Sequence, residues 1–318
     1  LEHNFRIHIE KIKRNRKARR GLGYASIITL VIFFVELVGG FLSGSLALLA
    51  DAAHMATDIF SLGLSYLAAW MASKPASAKR SYGYYRVEIL AALINGLMLC
   101  VIALFICIEA YNRLMIQTRV NADEMLGFGL IGLLANIISA VLLSRNQHES
   151  VNVKAAYVHV LSDLAGSIAV IIGAVVIFFT GKFWIDSILS AVIAALILRS
   201  AWEIIQEAVD VLMETVPSNI SIDEVKADLL KTEHVKDIHD LHVWSITTGV
   251  NALSCHVLVD DYKHSQELIL GINKMLKDTY NIDHVTIQLE DDHVNDFVLK
   301  RHLNAMPSQT EYPKHWYH

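Results

Sequence analysis

Between residues 22 and 205 the chain is a succession of apolar runs, each long enough to cross hydrocarbon. A bilayer accommodates that pattern; a water-soluble core of this size does not. A span needs about twenty mostly apolar residues, and six stretches qualify, near 22–43, 45–72, 88–112, 124–144, 155–180 and 183–205. They must be helices, because lipid offers backbone N–H and C=O groups no partner. Several exceed the hydrocarbon thickness, so their ends project into water or the helices tilt. The link around Ser43-Gly44-Ser45 is so short that the first two form a hairpin. The mean hydropathy of +0.41 averages this part with a soluble-looking stretch after Pro217.

Charge orients the spans. Residues 1–20 form a basic arm with eight Lys/Arg against Glu2 and Glu10, whereas residues 217–318 carry a net charge of −7. The arm abuts the first span, so anionic lipid is a more economical partner than nucleic acid, which we exclude. No cleavage site of the signal-peptide kind follows it. Lys74, Lys79, Arg80 and Arg86 in the second loop, and Arg145 and Lys154 in the fourth, share its side of the membrane. Only Arg113, Arg119 and Lys182 face the other. The positive-inside rule then makes both termini cytoplasmic.

The soluble part has its own pattern. Ser218 to Lys231 reads as a helix with an acidic first turn, Val235–Ile246 and Val250–Asp260 as strands joined by Thr247-Thr248-Gly249. His264–Tyr280 reads as a second helix and His284–Glu290 as a last strand. The fold class is thus six transmembrane helices (21–212) followed by a small cytoplasmic αββαβ domain of the α+β class (217–292). Residues 293–318 lack a pattern and read as a flexible tail.

Ionisable groups inside the spans carry the functional signal, because each is costly at bilayer depth. The second span holds Asp51, His54 and Asp58; the fifth holds His159 and Asp163; Glu36, Asn95, Glu109 and Asn136 lie in others. His54 and Asp58 are four residues apart, as are His159 and Asp163, so each pair shares one helical face. Facing each other, the two helices present two imidazoles and two carboxylates, a ligand set that tetrahedral Zn²⁺ accepts. Two carboxylates also neutralise a divalent ion. A single HxxxD could be a packing or capping contact; two inside spans are hard to explain so.

The pairs also repeat. His54-Met-Ala-Thr57-Asp58-Ile59 matches His159-Val-Leu-Ser162-Asp163-Leu164 as H-x-x-[TS]-D-[IL], on the second helix of each group of three. Three spans per half make the copies run oppositely through the bilayer, as alternating-access transporters do. One difficulty is depth. His159 lies only about 6 Å beyond the proposed start of its span, so either that helix starts earlier or a water-filled vestibule reaches the site. Histidine titrates near neutrality, so protons and metal compete for its nitrogens, which points to proton-coupled metal export. Two other classes were weighed. An intramembrane zinc hydrolase would need an open coordination position and a base, and no HExxH is present. A membrane-anchored zinc sensor would not need six spans with paired buried ligands.

At these motifs the chain resembles the cation diffusion facilitators, a family of metal transporters, from about Arg20 to Asp292. The run Ser45-Leu-Ala-Leu-Leu-Ala-Asp-Ala-Ala-His-Met-Ala-Thr-Asp58 is similar to the family's second-helix signature, and Ser81-Tyr-Gly-Tyr-Tyr-Arg-Val-Glu88 to its loop into the third helix. His239-Asp-Leu-His-Val-Trp244 and Leu253-Ser-Cys-His256 resemble strands of its cytoplasmic domain, in the style of bacterial zinc, cobalt and cadmium efflux members. The resemblance implies a homodimer in the bacterial inner membrane that exchanges Zn²⁺, with Co²⁺ or Cd²⁺ as alternatives, for H⁺. By position it puts the transport site on His54, Asp58, His159 and Asp163. A second loop site found in some members is not expected, since Arg80 and Tyr84 stand in its histidine positions; nor is a histidine-rich fourth loop, which has only His148.

Ten of the fifteen histidines follow residue 216. By the resemblance, His239, His256 and Glu290 could hold a second zinc, with Gln288 where some relatives have histidine. Strand alternation puts His256 away from Leu253 and Cys255, and Gln288 and Glu290 away from Ile287 and Leu289. His239, however, alternates with Leu241 and Val243, which argues against a shared face unless its strand is irregular. His234, His242, His264 and His284 read as ordinary surface residues. Cys100, Cys107 and Cys255 form no CxxC pair, so neither a disulfide framework nor a thiolate site is expected.

Overall fold

The computed structural model describes residues 23, 25–75, 77–116, 118–144 and 151–292. The basic arm, the tail, Arg145 and His148 lie outside the described residues. The chain divides into two compact units, one from the stretches up to Met71 and Leu90–Gln206, the other from Ala72–Ile89 and the chain after Glu207.

Six long helices follow one another: α1 (Ala25–Ser43), α2 (Leu46–Ala72), α3 (Arg86–Ile116), α4 (Ala122–Ser144), α5 (Val151–Thr180) and α6 (Trp184–Leu212). All except α2 are both long and apolar enough to cross a membrane, α5 over Ala156–Thr180. At 27 residues α2 has the length; Asp51, His54 and Asp58 dilute its apolarity. The helices of the first unit reverse the usual inside-out order. Phe34, Phe41, Val101, Phe105, Ile172 and Phe179 are exposed, while Glu36, Asp51, Asn95, Asn136, Asp163 and Asp186 are buried. Lipid replaces water around such a surface.

Small residues bring the helices together. Ala47, Ala50, Ala103, Ala174, Ala194 and Ala201 are fully buried, as expected where close backbone approach supplies dispersion. The α1–α4 seam is reciprocal. A Cβ on Gly39 would run into the Phe128 ring, and one on Gly132 would sit 2.5 Å from Glu36 Oε1. Gly132→Leu is therefore expected to cost about 1–3 kcal/mol by overpacking, read as a lower melting temperature in detergent; an unchanged value would show that the seam yields. The α5 helix begins at Val151, ahead of its apolar run. His159 is then about 12 Å from the helix start, so the helix does begin earlier than the apolar run, while the depth of His159 in the apolar span is unchanged.

In the second unit α7 (Ile222–Leu230) starts at Ser221, whose Oγ accepts from the Glu224 N–H. Strands β1 (Val235–Thr247) and β2 (Val250–Val259) pair antiparallel through a turn at Gly249, whose φ is +77°. A short 3₁₀ turn (Tyr262–His264) and α8 (Ser265–Tyr280) then cross over to β3 (Ile282–Glu290), which runs parallel to β2. The order β1-β2-β3 with two helices gives the expected αββαβ layer pair. Its core joins Val225 and Leu229, Ile238 and Val243, Leu253, Cys255 and Val257, and Leu268, Ile272 and Leu276. Burial pushes the Cys255 thiol up to about 12, as for a structural cysteine packed in an apolar core. From the 72–89 stretch, Tyr82 sets its ring edge-on to His284, and Glu88 accepts from Thr247 Oγ1 at 3.2 Å.

One irregularity matters. His239 pairs with His256 but His242 pairs with Ser254, so β1 spends an extra residue there. That is a β-bulge, with Asp240 at φ +51°. The alternation changes phase across it: Ile238 is buried before it and Val243 after it.

Candidate metal sites

The membrane site is built by two helical turns, one on α2 and one on α5. His159 Nε2 lies 3.3 Å from Asp58 Oδ2 and 3.7 Å from Asp163 Oδ2; His54 Nε2 lies 3.8 Å from Asp58 Oδ2. The two imidazole centroids are 6.1 Å apart. All four residues expected from the i,i+4 pairs are thus brought together. Asp163 is 5% exposed and His159 keeps 43%, so one side of the cluster is open and the other closed. Asp58 Oδ2, shared by both histidines, makes no directed hydrogen bond, and His54 Nδ1 and Asp163 Oδ1 are likewise buried without partners. Two nitrogens and two carboxylates, with buried acceptor atoms unsatisfied, suit a divalent cation.

The surroundings of this cluster are polar. Asn136 Nδ2 donates to Ser167 Oγ at 3.0 Å, linking α4 to α5. Gly166 leaves room beside Asp51, whose Oδ1 lies 3.6 Å from the place a Cβ would take. Sequence reading missed Asp186. It sits in the first turn of α6, where an acid looks like an ordinary cap of its own helix. Instead it accepts from Ser45 Oγ at 2.6 Å, Leu46 N–H at 2.8 Å and Ala47 N–H at 3.3 Å, capping α2. Nearby, Arg113 Nη1 donates to the Gly44 carbonyl at 2.6 Å. The helix carrying His54 and Asp58 is thereby anchored at its start.

The second cluster lies on the sheet. His239 Nε2 is 3.2 Å from Glu290 Oε2, and His256 Nδ1 is 2.8 Å from Glu290 Oε1. The ligand atoms of all three lie within 4.8 Å of one another. Register explains it: His256 pairs with His239 on one side and with Gln288 on the other. The bulge overturns the alternation objection to His239, because Asp240 resets the phase of β1. Glu290 is 0% exposed, a buried carboxylate with no Lys or Arg beside it among the described ion pairs. Gln288 Nε2 donates to its Oε1 at 2.6 Å, while Oε2, His239 Nε2 and His256 Nδ1 have no hydrogen-bond partner. This donor set fits Zn²⁺. Of the histidines read as surface residues, His234 and His264 stack at 4.8 Å, and His242 Nε2 lies 3.0 Å from Asp240 Oδ1.

A helical membrane unit with a two-His, two-Asp cluster closed on one side by the buried Asp163, followed by a small sheet domain, defines a multi-pass protein built to move cations. Residues 22–213 match the cation efflux transmembrane domain and residues 217–292 the cation efflux protein cytoplasmic domain. The chain belongs to the cation efflux family, the cation diffusion facilitators, and is a metal efflux protein. It is 40% identical over 290 residues to the metal cation efflux system protein CzcD of Cupriavidus metallidurans, covering 91% of this chain and 92% of that one. It is 39% identical over 285 residues to the cadmium, cobalt and zinc/H(+)-K(+) antiporter of Bacillus subtilis (88% and 89%). Against the Escherichia coli zinc transporter ZitB it is 39% identical over 281 residues (88% and 89%). The solved metal-bound C-terminal domain of CzcD is 39% identical, covers 22% of this chain and 99% of its own, and aligns with a TM-score of 0.22.

Proposed function

We propose that the protein exports Zn²⁺ from the cytoplasm in exchange for protons, with Co²⁺ and Cd²⁺ as further substrates. The observation that carries this reading is the meeting of His54, Asp58, His159 and Asp163 on two facing helical turns. The two carboxylates balance the charge of the cargo in hydrocarbon. The two imidazoles bind it only when neutral, so protons arriving from the far side displace it. The names of the Bacillus antiporter and of ZitB support the substrate and the exchange. On this reading residues 21–212 carry the cargo, residues 217–292 hold a homodimer together, and both termini face the cytoplasm of a bacterial inner-membrane protein. The chemistry is ligand exchange: metal–ligand bonds form and break and protons take the vacated nitrogens, with no covalent change in the cargo.

Zinc uptake into proteoliposomes under an imposed pH gradient tests it. Gradient-dependent flux that vanishes in His54→Ala and Asp163→Ala is expected. Flux that ignores the gradient would make the protein a uniporter; flux retained in both variants would remove the site.

The cytoplasmic cluster of His239, His256 and Glu290 we assign to a resident, regulatory Zn²⁺, which would neutralise the buried Glu290. Zinc at a hundredfold excess over its dissociation constant is expected to stabilise this domain by about 2.7 kcal/mol. Glu290→Gln removes the buried charge, so it is expected to raise the melting temperature without zinc and to abolish the further rise with it. Thermal scans of the full chain with and without zinc, carrying Asp58→Ala to silence the membrane site, check both halves. A zinc-induced rise surviving in Glu290→Gln would refute the assignment.

A further inference from the structure

We infer that Asp240 is a positioning residue for the cytoplasmic metal site: its carboxylate receives the Nε2–H of His256, and His242 holds that carboxylate in place. The inference rests on reading His239, His256 and Glu290 as a metal site. His256 turns Nδ1 towards Glu290 Oε1 at 2.8 Å, which leaves Nε2 as its second nitrogen. A neutral imidazole that gives one nitrogen to a metal must carry its proton on the other, and that N–H needs an acceptor. Asp240 Oδ2 is 3.6 Å from His256 Nε2. This is longer than a hydrogen bond, so the inference requires the ring to turn slightly towards Asp240 when an ion is bound.

The other oxygen is already engaged. Asp240 Oδ1 lies 3.0 Å from His242 Nε2, so the carboxylate is braced from outside the site. The order is metal, His256, Asp240, His242, the carboxylate–histidine arrangement by which second-shell groups fix a ligand's tautomer and ring plane.

The backbone gives a separate reason. Asp240 stands at φ +51° in the β1 bulge, a region that L-residues other than Asn and Asp enter rarely. Glycine would relieve the strain there, yet the position holds an acid. The bulge alone would return His239 to the site; only the carboxylate side chain orients His256. One residue therefore places both histidines, the first through its backbone and the second through its oxygen.

The test uses the full chain in detergent with Asp58→Ala throughout, and zinc affinity measured by competition with a chelating dye. Asp240→Ala and Asp240→Gly are each expected to weaken binding about 10–100-fold, the usual loss when a second-shell partner is removed. Asp240→Asn keeps both an acceptor oxygen and tolerance of the left-handed backbone, so it is expected to stay near the parent. With Co²⁺ as a spectroscopic stand-in, the visible ligand-field bands should be alike in all of them, because the ligands are unchanged. Rescue by glycine would show that only backbone geometry matters and overturn the inference. Changed bands in Asp240→Asn would make Asp240 a ligand and overturn it too. If Asp240→Ala binds like the parent while His256→Ala does not, the metal site stands and the positioning role falls. If His256→Ala also binds like the parent, the metal-site reading itself fails.

Discussion

Zinc flux through Asp58→Ala proteoliposomes is expected to fall by at least about 100-fold, the upper range for losing a mere outer-shell partner, while the protein stays folded. Asp58 Oδ2 is the acceptor nearest to both histidines, 3.3 Å from His159 and 3.8 Å from His54. Deleting it removes a carboxylate that faces histidines of both helices. It also leaves a loaded site with one carboxylate against two positive charges, and an uncompensated charge in hydrocarbon costs several kcal/mol. The fold has little to lose, because that oxygen makes no hydrogen bond; the stability change should stay within about 1 kcal/mol. Asp58→Asn separates shape from charge and should fail as well. Near-normal flux in either variant would mean that the cargo passes elsewhere.

The second large effect belongs to a residue that touches no metal. Asp186→Ala is expected to destabilise the membrane unit by about 3–5 kcal/mol, the lower part of the range for leaving three buried donors without an acceptor at about 1–3 kcal/mol each. Asp186 is buried and accepts three hydrogen bonds from the first turn of α2. In its absence the Leu46 and Ala47 N–H groups and the Ser45 hydroxyl lose a charged acceptor that lipid cannot replace. Asp186→Asn retains one acceptor oxygen and should recover about half of the loss. Melting temperatures in detergent, followed by size-exclusion recovery after heating, measure both. An alanine variant as stable as the parent would show that Ser43 and Ser45 cap α2 unaided.

The membrane part was legible because burial in lipid leaves a long-range mark: six runs of apolar residues, and two His–Asp pairs at helical spacing inside them. The limits were local. Hydropathy alone undercounts α2, since the residues that make it useful also dilute it. The start of α5 was hidden because Val151 to Ala155 include Asn152 and Lys154, polar residues that continue a helix without continuing an apolar run. Asp186 looked like a cap for α6, and nothing in one sequence tells that it caps another helix instead. In the cytoplasmic domain, alternation placed His256 and Glu290 together but set His239 on the wrong face. A bulge is a single added residue, and a period-two reading cannot detect it. The acid at Asp240 was its only trace.

The reciprocal seam between α1 and α4 has a kinematic meaning. Phe128 enters the gap at Gly39 and Glu36 the gap at Gly132, so each helix is both key and lock for the other. A short slide of either along its axis would bring a ring or a carboxylate against the neighbouring backbone. Packed interfaces of this kind switch between discrete arrangements rather than deforming smoothly. On the proposed transport reading, α1 and α4 are therefore expected to travel together during the stroke that carries an ion across, with the slip taken up along other helix boundaries.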